Sequence, residues 1–173
     1  YEVKSELENL SLRFRSPKEY VRIENQVNQF MDEESDDIAR FCGPINEILS
    51  QNGICAKVYP KFRSPYSMWR KMQSSGKNFR QLEFKHVLNM EFEEKSEFSE
   101  KNQALEIYSL VTDIYKEKPG SLNNYIDSPK ENGYQSLHFK VRCNKGLWVE
   151  IHISSRRMEY NSRMGCIAER ATG

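Results

Sequence analysis

Two groups of residues in this 173-residue sequence have the types and spacing to do chemistry. Between Lys57 and Arg80 stand seven basic side chains, Lys57, Lys61, Arg63, Arg70, Lys71, Lys77 and Arg80, with no acidic residue among them. A cationic block carried on a defined strand and helix suits a compact polyanion such as a phosphate chain, with guanidinium groups engaging oxygens in pairs. The plain alternative is a solvated basic face. The second group lies in 136–153, read as a hairpin around Asn144-Lys145-Gly146. If Cys143 faces Leu147, then Val141 pairs with Val149, Phe139 with Ile151 and Leu137 with Ile153, giving one apolar face. That face sets the register, because a one-residue slip would bury charge. The other face then carries His138 across from His152, Lys140 across from Glu150 and Arg142 across from Trp148. It is either ordinary solvent-exposed surface or the floor of a site.

The elements that must position these groups are legible around them. Ser16-Pro17 with Glu19 reads as a capping box opening a helix whose apolar residues run from Ile23 to Ile48 at helical spacing. Asn52-Gly53 ends it, and the acidic stretch 32–37 is a candidate interruption. A strand is expected over 55–59, and Ser64-Pro65 opens a second helix that ends before Gly76. Alternation of Leu88, Met90 and Phe92 predicts a strand over 87–92. Ser99 caps a helix with Leu105, Tyr108, Val111 and Tyr115 inward, and Ser154 or Ser155 caps a last one. Strands interspersed with helices predict an α/β (α+β) fold, a mixed β-sheet flanked by helices, with residues 1–173 as a single domain.

Composition narrows the function classes. A hydrophobic content of 38% suits a folded globule, and no apolar run is long enough to cross a bilayer. A net charge of +1 argues against a general nucleic-acid binder. No nucleic acid or membrane partner is therefore expected. Cys42, Cys55, Cys143 and Cys166 are scattered, with no metal-ligand spacing. They read as reduced, buried thiols of a cytoplasmic protein rather than a zinc site. The start and end of the chain read as cuts in a longer protein.

Two segments carry a family resemblance. Tyr125-Ile126-Asp127-Ser128-Pro129-Lys130-Glu131-Asn132-Gly133-Tyr134-Gln135-Ser136-Leu137-His138 resembles the Y-I-x-x-P-K-x-N-G-Y-Q-S-L/I-H motif of the RelA/SpoT synthetase domain. Lys61-Phe62-Arg63-Ser64-Pro65-Tyr66-Ser67-Met68-Trp69-Arg70-Lys71-Met72 resembles the family's R-x-K-x-x-Y-S segment, and Val149-Glu150-Ile151-His152-Ile153 adds support. The resemblance implies a nucleotidyltransferase-like fold and a GTP pyrophosphokinase that moves pyrophosphate from ATP to the 3′-hydroxyl of GDP or GTP with Mg2+, making the alarmone (p)ppGpp. It implies an ATP phosphate clamp of Lys61, Arg63, Arg70 and Lys71. It further implies an acceptor site of Lys130, Asn132, Tyr134, Gln135 and His138, with Tyr134 stacking on guanine, and a catalytic, metal-holding Glu150. Hydrolase and regulatory domains of longer members are implied as further contacts.

The pattern also breaks. The family's metal-binding aspartate aligns with Phe84, and its strand arginine with Asn89. Phenylalanine cannot ligate a hard cation. Either Glu83 serves as the second catalytic and metal-binding carboxylate through a bulge, or residues are missing before Phe84, or the site is degenerate and the chain is a guanine-nucleotide-binding regulatory homologue. Lys61 and Arg63 exchange the usual arginine and lysine, and Ser154 replaces an arginine.

Overall fold

The computed structural model describes residues 2–82 and 86–171, with side chains over 4–82 and 86–164. Its centre is a five-stranded mixed sheet in the order β1-β2-β5-β4-β3, formed by β1 (Ala56–Phe62), β2 (His86–Phe92), β3 (Asn123–Asn124), β4 (Leu137–Arg142) and β5 (Trp148–Ser155). β2 and β5 run parallel, while every other neighbouring pair is antiparallel. The β4–β5 register is the one the apolar alternation demands: Val141 meets Val149, Phe139 meets Ile151 and Leu137 meets Ile153.

Strand alternation gives the sheet two unlike faces. Val58, Met90, Ile153 and Leu137 form one row of the apolar face, and Pro60, Leu88, Ile151 and Phe139 form the next. Against them pack Phe41, Cys42, Ile45 and Leu49 of α2 (Pro17–Gln51) and Ala104, Ile107 and Val111 of α4 (Glu100–Ile114). Leu105 and Tyr108, expected to lead the inner face of α4, are only half-buried, so the helix sits rotated by about one residue from the expected stripe. Its buried Gln103 takes the hydrogen bonds that fix the preceding acidic loop, through Lys95 and Phe98 backbone atoms.

Two expectations near the N-terminus are corrected. A helix not foreseen from the sequence, α1 (Glu2–Arg15), precedes α2, and Ser16 makes no side-chain cap. The Ser16 amide still donates to Leu12 O, so the break is a proline effect: Pro17 lacks an N–H and disfavours helical geometry at the residue before it. The acidic stretch does not interrupt α2, which runs unbroken for 35 residues. Its two ends serve different clusters, Ile23 and Val27 packing with Met68 of α3 (Pro65–Ser75), Phe79 and Leu82. The acidic middle pairs Glu34 and Asp37 with Lys145 at the hairpin tip.

The sequence-expected cap at Ser64 holds, its hydroxyl accepting from Ser67 N at 3.2 Å. Ser155 caps α5 (Arg156–Ala171), accepting from Met158 N at 3.1 Å. Of the described cysteines only Cys42 is buried; Cys55 is exposed and Cys143 half-buried, against the expectation of buried thiols. Among the described residues no helix is long and apolar enough to cross a membrane.

Candidate active site

The other face of the sheet is polar, and its rows follow directly from the strand pairing. Lys61, Val87, Glu150 and Lys140 form one row across β1, β2, β5 and β4. Tyr59, Asn89, His152, His138 and Asn123 form the next. Residues paired in register share a face, so these side chains rise on the same side. Of the two readings the hairpin left open, its polar face is thus part of a continuous polar floor, not an isolated solvated strip.

Glu150 is the hub of that floor. Its Oε2 lies 3.6 Å from the Arg63 guanidinium, and Oε1 lies 3.4 Å from His152 Nε2. The second contact is an ion-pair distance without hydrogen-bond geometry. The His152 contact, reinforced by Arg63, holds the Glu150 carboxyl down to about 2 despite burial. Lys71 stands nearby on α3, and burial, then the Arg63 charge and that of Lys140, lower its pKa while Glu150 opposes them. Three cations therefore surround one carboxylate, an arrangement with positive charge to spare for an anionic ligand.

Next to the carboxylate comes an aromatic and imidazole cluster. The rings of His138 and His152 stack at 3.6 Å between centroids and 3° between planes. His138 Nε2 lies 2.9 Å from the Tyr134 hydroxyl, and Tyr125 meets the His138 ring edge-on at 4.9 Å. Burial, with the charge of His152 second, pushes His138 down to about 3, so it is neutral at ordinary pH. Lys130 Nζ lies over both tyrosines, 4.6 Å from the Tyr125 centroid and 5.3 Å from that of Tyr134. The loop holding Tyr134 is set by local geometry. Gly133 takes φ of 75°, Asn132 Oδ1 accepts from Tyr134 N at 3.2 Å, and Gln135 Nε2 donates to Ile126 O at 3.2 Å. Asn132 and Gln135, expected as ligand contacts, also fasten the loop itself.

The structure thus gathers Arg63, Lys71, Glu150, His138, Tyr134 and Lys130 around one surface. Lys61 shares Glu150's row but is exposed, and Arg70 is exposed on α3. Glu83, and Phe84 with it, lie outside the described residues. His152, Tyr125 and Asn89 were not singled out as site residues. For Asn89 the available signal was alternation: Leu88 and Met90 face the core, so Asn89 must face the polar floor. It is 8% exposed, within 3.5 Å of the Tyr59 hydroxyl, and its Oδ1 has no hydrogen-bond partner. Ser154, where an arginine was expected, is buried and donates to Glu159 of α5 at 2.8 Å, closing that end of the floor. A cavity of about 1020 Å³ lies elsewhere, between α2, the 79–82 turn and the hairpin tip, and is lined by none of these groups.

Residues 61–171 match the model of the region found in RelA/SpoT proteins. The chain is 28% identical over 167 residues to a GTP pyrophosphokinase of Photobacterium angustum, covering 96% of this chain and 22% of the relative. It is 30% identical over 167 residues to a guanosine-3′,5′-bis(diphosphate) 3′-pyrophosphohydrolase of Borreliella burgdorferi, covering 96% and 24%. The chain therefore spans under a quarter of the length of these relatives. Among solved structures, the small alarmone synthetase 1 of Bacillus subtilis bound to pppGpp superposes with a TM-score of 0.55 at 16% identity, over 86% of this chain and 83% of that one. A GTP pyrophosphokinase family protein of Streptococcus pneumoniae gives 0.56 at 15% identity, over 84% and 90%. These identities support the fold alone.

Proposed function

This chain belongs to the RelA/SpoT family, and we propose that it is a pyrophosphokinase domain transferring the β,γ-pyrophosphoryl group of ATP to the 3′-hydroxyl of GDP or GTP. The observation that carries the reading is the single surface on which Arg63, Lys71 and Lys140 surround Glu150 beside Tyr134. In this reaction the 3′-oxygen bonds to the β-phosphorus, the α–β bridging bond breaks, AMP leaves, and the hydroxyl proton passes to a base. Such transfer is mostly positioning and charge stabilisation. Arg63, in the connection between β1 and α3, and Lys71, in the second turn of α3, receive the ATP phosphates, with Lys61 and Arg70 at the entrance. Tyr134 and Lys130 receive the acceptor guanosine, the ring stacking on the base. A carboxylate held near 2 is a weak base, so Glu150 orients the hydroxyl by accepting its hydrogen bond. Arrival of phosphate at Arg63 draws one cation from Glu150 and makes it more basic as the substrates assemble.

Mg2+ fits this donor set poorly. It demands near-octahedral oxygen ligands, whereas Glu150 is the only carboxylate in the described cluster and its neighbours are imidazoles. The same observation favours a second reading, a guanine-nucleotide-binding homologue without turnover. Incubation with labelled ATP and GDP or GTP separates the two. Guanosine tetra- or pentaphosphate plus AMP supports the transferase; nucleotide binding without product supports the homologue.

A further inference from the structure

We propose that His138, Glu150 and His152 form a binding site for a borderline first-row divalent cation of the Zn2+ type. Their ligand atoms all lie within 4.8 Å of one another. The backbone explains the grouping: Glu150 and His152 stand two apart on β5 and share a face, and His138 is the register partner of His152 on β4. Two nitrogens bound to one Zn2+ at about 2.0–2.1 Å each lie roughly 3–4 Å apart. The three side chains need to close by only about an ångström. The stacked rings must turn about their outer bonds so that their lone pairs converge, and Tyr134 must release His138.

An independent observation points to a ligand here. His152 Nε2 is buried with no hydrogen bond, only its 3.4 Å ion-pair contact with Glu150, and Asn89 Oδ1, its neighbour in the same row on β2, is buried without a hydrogen-bond partner. Buried polar atoms are almost always satisfied, and an unsatisfied pair on adjacent strands marks a place for an ion or water. Two imidazoles and one carboxylate make a donor set that prefers Zn2+ or Co2+ over Mg2+, which favours oxygen alone. The scattered cysteines take no part in it.

The site lies in the same cleft as the transferase reading, but its test uses no nucleotide, so the two fail separately. Co2+ is titrated into the purified chain and followed by visible absorption, with Zn2+ displacement by calorimetry. One equivalent binds, the spectrum lacks a thiolate-to-cobalt band, and millimolar Mg2+ leaves it in place. His152→Gln weakens binding by at least about tenfold with an unchanged melting curve. Glu150→Gln, close to isosteric, does the same and serves should the first variant fail to fold. Binding unaltered in both variants, a thiolate band, displacement by equimolar Mg2+, or no binding would overturn the assignment.

Discussion

His138 and His152 stand directly opposite each other on β4 and β5, their rings parallel within 3° and 3.6 Å apart. Two stacked imidazoles cannot both carry a proton cheaply at that separation. Burial settles which gives way, keeping His138 neutral down to about 3. The pair thus links the Tyr134 loop to Glu150 through a neutral His138.

The pH dependence of stability follows. In the unfolded chain His138 takes up a proton near 6.5, but in the folded protein only near 3. Between those values the unfolded state binds more protons, so stability rises with pH and is lost on acidification, by up to about 1.4 kcal/mol per pH unit. Glu150 acts in the same direction lower down: its folded value near 2 lies below the ordinary 4.5, so its contribution is present above 4.5 and lost towards 2. Denaturant unfolding at pH 7, 6, 5 and 4 measures the slope. His138→Gln flattens it between 6 and 4; an equally steep slope in that variant would contradict the assignment.

On the proposed function, Arg63 and Lys71 divide the labour with Tyr134. Lys71→Ala or Arg63→Ala weakens binding of a non-hydrolysable ATP analogue by about tenfold or more, the worth of one charge-assisted contact. GDP binding moves little. Tyr134→Ala gives the reverse pattern, losing about 1–3 kcal/mol of base stacking. Equilibrium binding of each nucleotide to the three variants reads this directly, and a uniform loss of both nucleotides would count against two separate subsites.

Gly133 holds φ of 75° with nothing within 4 Å of where a Cβ would stand. Gly133→Ala therefore meets no clash and pays only the left-handed backbone cost, about 1–2 kcal/mol. It loosens the turn closed by Lys130 N to Tyr134 O at 3.1 Å. The expected outcome is a small drop in unfolding free energy with a larger loss of GDP affinity than of ATP affinity.

Much of the fold was legible because one period dominated. In β4 and β5 every second residue is apolar, so register and facing could be read pair by pair, including Lys140 opposite Glu150. The Ser64-Pro65 start of α3 and the Ser155 cap were likewise local signals. What escaped lacked such signals. Among the residues of α1 whose side chains are described, only Leu12 is buried, while Leu7, Leu10 and Phe14 are largely exposed, so the helix adds little to the core. The acidic middle of α2 is answered by Lys145, more than a hundred residues away, a pairing the local sequence does not announce. At the site, Glu150 and the cationic clamp were readable from residue type and resemblance. His138 opposite His152 was readable from the hairpin, but the arrival of Asn89 beside them requires β2 to lie parallel beside β5, a pairing no local pattern announces.

The central claim is that Glu150 sits at the reacting centre of a pyrophosphoryl transferase. The most direct test is single-turnover transfer from labelled ATP to GDP, comparing the parent chain with Glu150→Gln while measuring nucleotide binding by both. The account predicts transfer to the 3′-oxygen by the parent, a loss of at least about a hundredfold in the variant, and binding of both nucleotides within a few-fold. Undiminished transfer by Glu150→Gln, or none by the parent despite binding of both substrates, would contradict it.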